Sequence, residues 1–252
     1  MLAPGMTDQS IPRDRVAICA GVGSREPGWA LEDFEPVGIP PEDLVELYWQ
    51  EGPMLMAAEL ERDPLRLETP KIKTLDEWIL QTAFDPVWAG EGAGRDEIYR
   101  SILERAHEKY QAGERWTYVG HSLGSVHLLN LALDGLLPGI HDLILLGSPG
   151  LAYLLARFGR GSHAWKMPEI PGVITVVGDP RDRIATTWAN RLSGVEARKM
   201  RTKVVSNPMG LWGIVPGRLS GLIQAIRSHV SYLKNREVQA MIRETHEWGG
   251  LP

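Results

Sequence analysis

One serine, which has a glycine two residues before it and another two residues after it, is a candidate catalytic nucleophile. It is Ser122, in the stretch WTYVGHSLGSVHLL at 116–129. A serine hydroxyl is a weak nucleophile until a neighbouring base takes its proton and hydrogen-bond donors stabilise the oxyanion that forms on the substrate. The pattern Gly-x-Ser-x-Gly predicts a nucleophile at Ser122. A glycine-rich turn without chemistry is the alternative, because the chain contains 27 glycines.

The residues next to Ser122 predict the geometry that a nucleophilic serine needs. A short apolar strand is expected before the motif and an apolar helix after it. A sharp turn between them strains the serine backbone, and Gly120 and Gly124 remove side chains that would clash where strand and helix approach each other. The backbone N–H of Leu123 then lies at the helix N-terminus, where unpaired donors and the helix dipole favour an oxyanion.

The segment GHSLGS resembles the nucleophile elbow of α/β-hydrolase fold lipases, esterases and related serine hydrolases. The resemblance is close over residues 116–130 and loose over the later strands, while residues 25–95 show no specific likeness. It implies a carboxylic-ester hydrolase that works through an acyl-enzyme without a cofactor, and a triad in the chain order serine, acid, histidine. We expect His121 to flank the nucleophile without chemistry of its own.

Two aspartates that follow a predicted strand are candidates for the acid. Catalytic groups gather beyond the carboxyl ends of the strands in an open α/β sheet, and VITVVGDPRDRIA places Asp179 and Asp182 there. We favour Asp182, because the Arg183 and Ile184 that follow it resemble the family's placement of an apolar residue after the acid. Asp179 is the alternative acid, although with Pro180 it could shape the turn. Both could also be turn residues without a catalytic role.

His229 is the predicted general base. The chain order implied by the resemblance admits His229 and His246, and His229 follows the last predicted strand whereas His246 lies in the polar tail ETHEWGG. The acid would fix the tautomer of His229 and stabilise its imidazolium. We expect structural roles for four other histidines, namely His107, His127, His141 and His163.

A second oxyanion donor is expected from the turn after the first predicted strand. In VAICAGVGSREPG, a backbone N–H of Val22 or Gly23 could meet that of Leu123 across a carbonyl oxygen. The family often has a histidine before the first glycine, whereas this chain has Ala20, so the donor is not assigned to one residue. A dinucleotide site is a rival interpretation of the Gly-x-Gly turn, but GVGSRE lacks the third glycine and a clear following helix.

The elements that must position these residues alternate between strands and helices. Five short apolar runs that end in turn signals are predicted as buried parallel strands: VAIC at 16–19, TYV at 117–119, LILL at 143–146, VITVV at 173–177 and TKVVS at 202–206. Helices are expected in RDEIYRSILERAHEKYQAG, after Ser122 and in VSYLKNREVQAMI. The alternation predicts an α/β fold, a three-layer α/β/α sandwich with a mostly parallel central sheet, in a single domain that spans residues 1–252.

Residues 25–95 give no clean strand count. PPEDLVELYWQ predicts a helix, because Pro41 is tolerated in the first turn and Glu42 and Asp43 are favourable near its positive end. We interpret the rest of this region as an insertion or an irregular flank of the same domain.

Two apolar segments interposed between the catalytic loops suggest a cap or lid. They lie at 150–170 and 207–228, where the family builds its caps, and several of the nine tryptophans lie outside the predicted sheet. Ordinary packing also explains these tryptophans. We expect an ester with an apolar acyl group as the substrate. The alternatives are a thioesterase, an acyltransferase or lyase with the same triad, an esterase of the phage type that cleaves cell-wall lipids, and a non-catalytic binding module.

Composition argues against several other classes of protein. The net charge is −5 and no basic stripe is present, so we expect no nucleic-acid partner. Cys19 is the single cysteine and cannot form an internal disulfide. No signal peptide, no membrane span and no metal motif of the H-E-x-x-H or Cys/His type is recognised. We expect a cytoplasmic protein with a small-molecule or lipid-like substrate, with the lid as its contact to any lipid surface; the oligomeric state stays open.

Overall fold

A computed structural model describes residues 14–20, 28, 38–47, 93–150, 169–182, 200–208 and 228–248. Six strands lie in these residues: β1 (Asp14–Cys19), β2 (Leu44–Leu47), β3 (Arg115–His121), β4 (Ile140–Leu146), β5 (Ile174–Gly178) and β6 (Met200–Val204). They form one sheet in the order β2-β1-β3-β4-β5-β6, and every neighbouring pair is parallel. The carboxyl ends of all six strands therefore lie at one edge, where the residues after β3, β5 and β6 can meet.

Helices cover both faces of the sheet. They are α1 (Ala93–Lys109), α2 (Leu123–Leu133) and α3 (Arg236–Trp248). Helix α2 is buried along almost its whole length and packs against β3, β4 and β1, as expected of a helix that is apolar nearly all round. Helix α3 packs against β1 from the opposite face. No helix in the described part of the chain is long and apolar enough to cross a bilayer.

The alternation of side chains along β1 shows how the two layers of core are built. Ala17 and Cys19 contribute to the cluster that includes α1 and α2, whereas Val16 and Ile18 contribute to the cluster on the side of α3. A strand buried on both faces has no polar side, which explains the continuous apolar runs in the sequence. The predicted α/β sandwich with a mostly parallel sheet is confirmed, and the five predicted strands overlap β1, β3, β4, β5 and β6. The predicted burial of TKVVS is wrong, because β6 is the last strand in the sheet order and three of its five residues are exposed.

The prediction of a helix in PPEDLVELYWQ is wrong. The helix-start signals produce one 3-10 turn, Pro41–Asp43, and the chain then continues as strand β2. Leu44–Leu47 pairs in parallel with Val16–Cys19, and this pairing buries Val45 and Leu47. Local propensity is a weak preference that tertiary pairing can override, and here the free edge of β1 provides the partner.

The predicted cap lies mostly outside the described residues. Residues 151–168 and 209–227 of the cap are not described. Most of the region 25–95 also lies outside the described residues. The cap and the single-domain organisation stay predictions.

Candidate active site

Ser122 lies at a strained turn between β3 and α2. Strand β3 ends at His121 and α2 begins at Leu123, so Ser122 alone makes the turn. Its φ of 52° and ψ of −125° place it in a region that residues with a side chain rarely adopt, and no other non-glycine residue in the described ranges has a positive φ. The Ser122 N–H donates to the Leu146 carbonyl at the end of β4 at 2.9 Å. The neighbouring strand therefore helps to hold the strained backbone.

Gly120 and Gly124 are glycines because of close backbone contacts. A Cβ on Gly120 would collide with the backbone of Ser125, on the first turn of α2. A Cβ on Gly124 would collide with the carbonyl groups of Cys19 and Ala20, where β1 ends. Helix α2 can approach both strands because these two side chains are missing, and this approach brings its N-terminus to the carboxyl edge of the sheet.

A chain of hydrogen bonds joins Ser122, His229 and Asp182. The Ser122 Oγ and the His229 Nε2 are 2.7 Å apart, and the His229 Nδ1 is 2.9 Å from Asp182 Oδ2. Asp182 is fully buried and His229 is 9% exposed, whereas Ser122 is partly exposed. A carboxylate accepts only, so the proton of neutral His229 belongs on Nδ1, which leaves the Nε2 lone pair to accept from the serine hydroxyl. This is the arrangement in which a serine can be deprotonated as it attacks.

Asp179, the alternative acid, faces another partner. Its carboxylate accepts hydrogen bonds from the backbone N–H and the guanidinium of Arg181, at 2.6 to 2.9 Å, and from the Asn207 N–H at 2.6 Å. Burial raises the pKa of Asp179, but the hydrogen bonds from Arg181 and Asn207 outweigh it and hold the pKa below its ordinary value. Asp179 is thus a buried, ion-paired carboxylate that ties the loop after β5 to the residues after β6.

Tyr232 connects Asp182 to the segment that carries His229. Its hydroxyl donates to Asp182 Oδ2 at 2.9 Å and accepts from the Asp179 N–H at 2.6 Å. Burial, and then the negative charge of Asp182, raise the pKa of Tyr232, so the phenol keeps its proton. A Cβ on Gly147, at the end of β4, would meet the Tyr232 ring at 2.6 Å. Tyr232 could not be predicted from the sequence, because its partners Asp179 and Asp182 are distant along the chain.

His121 and Asn207 contact the backbone around His229. The Nε2 of His121 is 2.7 Å from the His229 carbonyl oxygen, and the two imidazole ring centroids are 5.2 Å apart. The Asn207 side-chain amide donates to the carbonyl of Ser228. His121 was expected to flank the nucleophile, and its contact with His229 goes beyond that expectation. Asn207 was missed, although a polar residue just after an apolar strand is a signal that could have drawn attention to it.

The start of α2 provides one predicted oxyanion donor. Leu123 is the first residue of α2, so its N–H has no acceptor within the helix. Val22 and Gly23, the other predicted donors, lie outside the described residues. Ala20, the last described residue before them, has its carbonyl beside Gly124 on the first turn of α2. The end of β1 therefore lies next to the start of the helix that carries Leu123.

Two buried serines, Ser125 and Ser148, lie next to Ser122. The Ser125 hydroxyl contacts both the carbonyl of Ser122 and the hydroxyl of Ser148, the latter at 2.6 Å. Ser148 follows β4, and its Oγ accepts the N–H of Gly150 at 3.1 Å. These bonds connect the first turn of α2 to the end of β4, which further fixes the turn that contains Ser122.

The remaining histidines lie elsewhere in the fold. His127 is buried in α2 with its ring edge against Tyr99, and burial lowers its pKa to about 4. His141 pairs with Asp142 at the start of β4. His246 is not in a polar tail as predicted, because α3 continues through it and brings it 3.5 Å from Asp43.

The described residues contain no group of three or more histidine, cysteine or acidic side chains arranged to hold a metal ion. His107 is exposed on α1, and His163 lies outside the described residues.

A comparison with known protein families matches part of the chain. A family model described as alpha/beta hydrolase matches residues 74–182, which include β3, Ser122, α2 and the loop that carries Asp182. His229 lies beyond the matched residues. No curated protein sequence matches the chain.

Proposed function

Because this chain has the α/β-hydrolase fold, we propose that it is a serine hydrolase that cleaves carboxylic esters with Ser122, His229 and Asp182 as its triad. The family match supports a hydrolase in general. The observation that carries the finer proposal is the pair of hydrogen bonds, 2.7 and 2.9 Å long, that runs from Ser122 through His229 to the buried carboxylate of Asp182.

The first half of the reaction forms an acyl-enzyme. Ser122 Oγ attacks the ester carbonyl while His229 Nε2 takes the hydroxyl proton, and the carbonyl oxygen becomes an oxyanion. Asp182 stabilises the imidazolium, and the N–H of Leu123, with a second donor from Val22 or Gly23, stabilises the oxyanion. His229 then gives its proton to the leaving alcohol as the C–O bond breaks.

The second half repeats these roles with water. His229 takes a proton from a water molecule as the water oxygen attacks the acyl carbon. The tetrahedral intermediate collapses, the carboxylic acid leaves and His229 returns the proton to Ser122 Oγ. The fixed backbone of Ser122 keeps Oγ beside Nε2 in both halves, because its N–H is held by the Leu146 carbonyl.

An apolar acyl group is the proposed substrate class. The support comes from the sequence, since apolar stretches such as LAYLLARFG at 151–159 and GLWGIV at 210–215 follow β4 and precede His229. A pocket lined by such residues would bind an acyl chain through burial of its methylene groups, worth about 0.8 kcal/mol each. Turnover of 4-nitrophenyl esters of increasing chain length measures this preference directly as kcat/KM.

The test of the reaction type is covalent labelling with a fluorophosphonate probe, followed by mass mapping. We expect the label on Ser122 in the folded protein and no label in Ser122→Ala. Ser101→Ala, on α1 and away from the site, is the matched control and should be labelled like the wild type. A folded wild-type protein with no label, or with the label on another residue, would overturn the proposal. Ser122→Ala should also reduce kcat by several powers of ten.

A further inference from the structure

Two successive backbone carbonyls at the proposed base accept hydrogen bonds from side chains that are remote in sequence. The Ser228 carbonyl accepts from the Asn207 amide, and the His229 carbonyl accepts from His121 Nε2 at 2.7 Å. These carbonyls belong to the peptide groups on either side of the His229 Cα. Because each peptide group is planar, fixing both of them fixes φ and ψ of His229 and hence the direction in which its side chain leaves the backbone.

Water cannot easily replace these contacts. Ser228 and Asn207 are 0% and 2% exposed, and His121 is 6% exposed. A buried carbonyl that loses its donor is left unsatisfied, so the local structure prefers the arrangement in which both donors are present. The position of the His229 backbone is therefore determined by the positions of the two donors.

Each donor is fixed independently. His121 is the last residue of β3 and immediately precedes Ser122, so the strand that carries the nucleophile also holds the backbone of the base. Asn207 donates its N–H to Asp179 at 2.6 Å and accepts from the Asn235 amide at 2.9 Å. The ion-paired Asp179 thereby has a role distinct from that of a triad acid, because it anchors one of the two donors.

We propose that His121 and Asn207 are positioning residues that hold the peptide groups flanking His229, and so keep Nε2 in reach of Ser122 Oγ throughout the reaction. This inference rests on the proposed function, because it concerns the alignment of the same serine and histidine. His121 donates from Nε2, since a carbonyl oxygen can only accept. The ring of His229 can then turn between serine and leaving group while its backbone stays in place.

The first test compares two substitutions of His121. His121→Phe keeps a ring of similar size and removes the donor, whereas His121→Gln keeps an N–H at the distance of Nε2 from the backbone. We expect His121→Phe to slow the labelling of Ser122 by a fluorophosphonate at least about tenfold, and His121→Gln to stay within about threefold of the wild type, because small misplacements of reacting groups reduce rates strongly. Equal rates for wild type and His121→Phe, or equally slow rates for both variants, would overturn the inference.

The second test observes the alignment without any chemistry. The hydrogen-bonded Nδ1 proton of His229 is followed by NMR in protein with 15N-labelled histidine, and it is assigned by its absence in His229→Gln. We expect this resonance in the wild type and in His121→Gln, and its broadening or loss in His121→Phe. Asn207→Leu removes the other donor with a side chain of similar size and should give the same loss, which keeps the test decisive if His121→Phe does not fold. An unchanged resonance in the folded variants would contradict the inference.

The two tests separate the proposals. If wild-type Ser122 is not labelled but the His229 resonance depends on His121, the positioning role stands and the proposed reaction fails. If Ser122 is labelled equally fast in wild type and His121→Phe, the proposed reaction stands and the positioning role fails.

Discussion

Tyr232 donates its phenol hydrogen to Oδ2 of Asp182 at 2.9 Å, the same carboxylate oxygen that accepts the His229 Nδ1 hydrogen. The phenol lies in the 3-10 turn Tyr232–Lys234, one turn after the histidine. The short segment that carries the proposed base therefore also carries a donor for the proposed acid. Two donors on one oxygen hold the plane of the carboxyl group and leave Asp182 a single direction in which to face the imidazole.

Removal of the phenol hydroxyl should reduce both activity and stability. In Tyr232→Phe, Asp182 loses a donor and the Asp179 N–H loses its acceptor, so we expect a loss of about 1–3 kcal/mol in the free energy of unfolding. We also expect kcat to fall about tenfold with KM nearly unchanged, because Asp182 no longer holds the imidazole in one orientation. Ester hydrolysis and urea unfolding measure the two effects.

The matched control for this substitution is Tyr118→Phe. Tyr118 is also buried, and its hydroxyl donates to the Pro138 carbonyl at 2.7 Å, away from the site. Tyr118→Phe should have a lower free energy of unfolding than the wild type but the same kcat. A similar fall in kcat in both variants would mean that Tyr232 affects activity through stability alone.

Substitution of Asp182 should mainly reduce kcat, whereas substitution of Asp179 should mainly reduce stability. Asp182→Asn leaves the shape of the site but removes the charge that stabilises the imidazolium, so we expect kcat to fall by about 10³- to 10⁴-fold. Asp179→Asn weakens the pairing with Arg181 and should cost about 2 kcal/mol of stability while kcat falls less than about tenfold. Steady-state kinetics and denaturant unfolding of both variants decide this. A larger loss of kcat in Asp179→Asn would transfer the role of the acid to Asp179.

The buried His127 should make the folded state less stable in mild acid. Burial lowers its pKa from 6.5 to about 4. Between these pH values the unfolded chain binds a proton that the folded chain does not, so the free energy of unfolding falls as the pH falls. From pH 7 to pH 5 this residue should account for about 2 kcal/mol.

Urea unfolding of the wild type and of His127→Gln at pH 7 and pH 5 measures this contribution. We expect the pH-dependent loss to be about 2 kcal/mol smaller in His127→Gln. His107→Gln, at an exposed position on α1, is the control and should show the full wild-type loss. The same pH dependence in all three proteins would rule out His127 as a source of acid sensitivity.

The sequence predicted the sheet well where the strands are buried on both faces. An apolar run with a turn signal is sufficient there, because burial alone selects those residues. It failed at β2, where LVEL follows three residues with strong helix-start features and has no continuous apolar run. The partner that turns this segment into a strand is β1, which lies far away in the chain, and local patterns contain no information about that partner.

In the site, too, features built from neighbouring residues could be predicted, whereas contacts between remote segments could not. The strained turn at Ser122 and its two glycines could be predicted because this turn is built from neighbouring residues. The choice between Asp179 and Asp182 stayed open in the sequence because both follow the same strand. What distinguishes them in the structure is the guanidinium of Arg181 on one and the imidazole of His229 on the other. The contacts of Tyr232 join three separate segments, namely its own, the loop after β5 and the end of β4, and no spacing rule predicts them.

The absence of a side chain at Gly147 leaves room for the Tyr232 ring beside Asp182. The φ of Gly147 is 52°, and a Cβ there would lie 2.6 Å from the Tyr232 ring and 3.1 Å from Asp182 Oδ2. The pentapeptide around Ser122 is therefore only one part of a recognisable sequence signature. A search for other proteins with a phenol-supported acid could require three features together: the Gly-x-Ser-x-Gly elbow, a glycine at the end of the next strand, and a tyrosine one turn after the histidine. Such a pattern would separate proteins that share this arrangement of tyrosine, aspartate and histidine from the many glycine-rich sequences that contain the pentapeptide by chance.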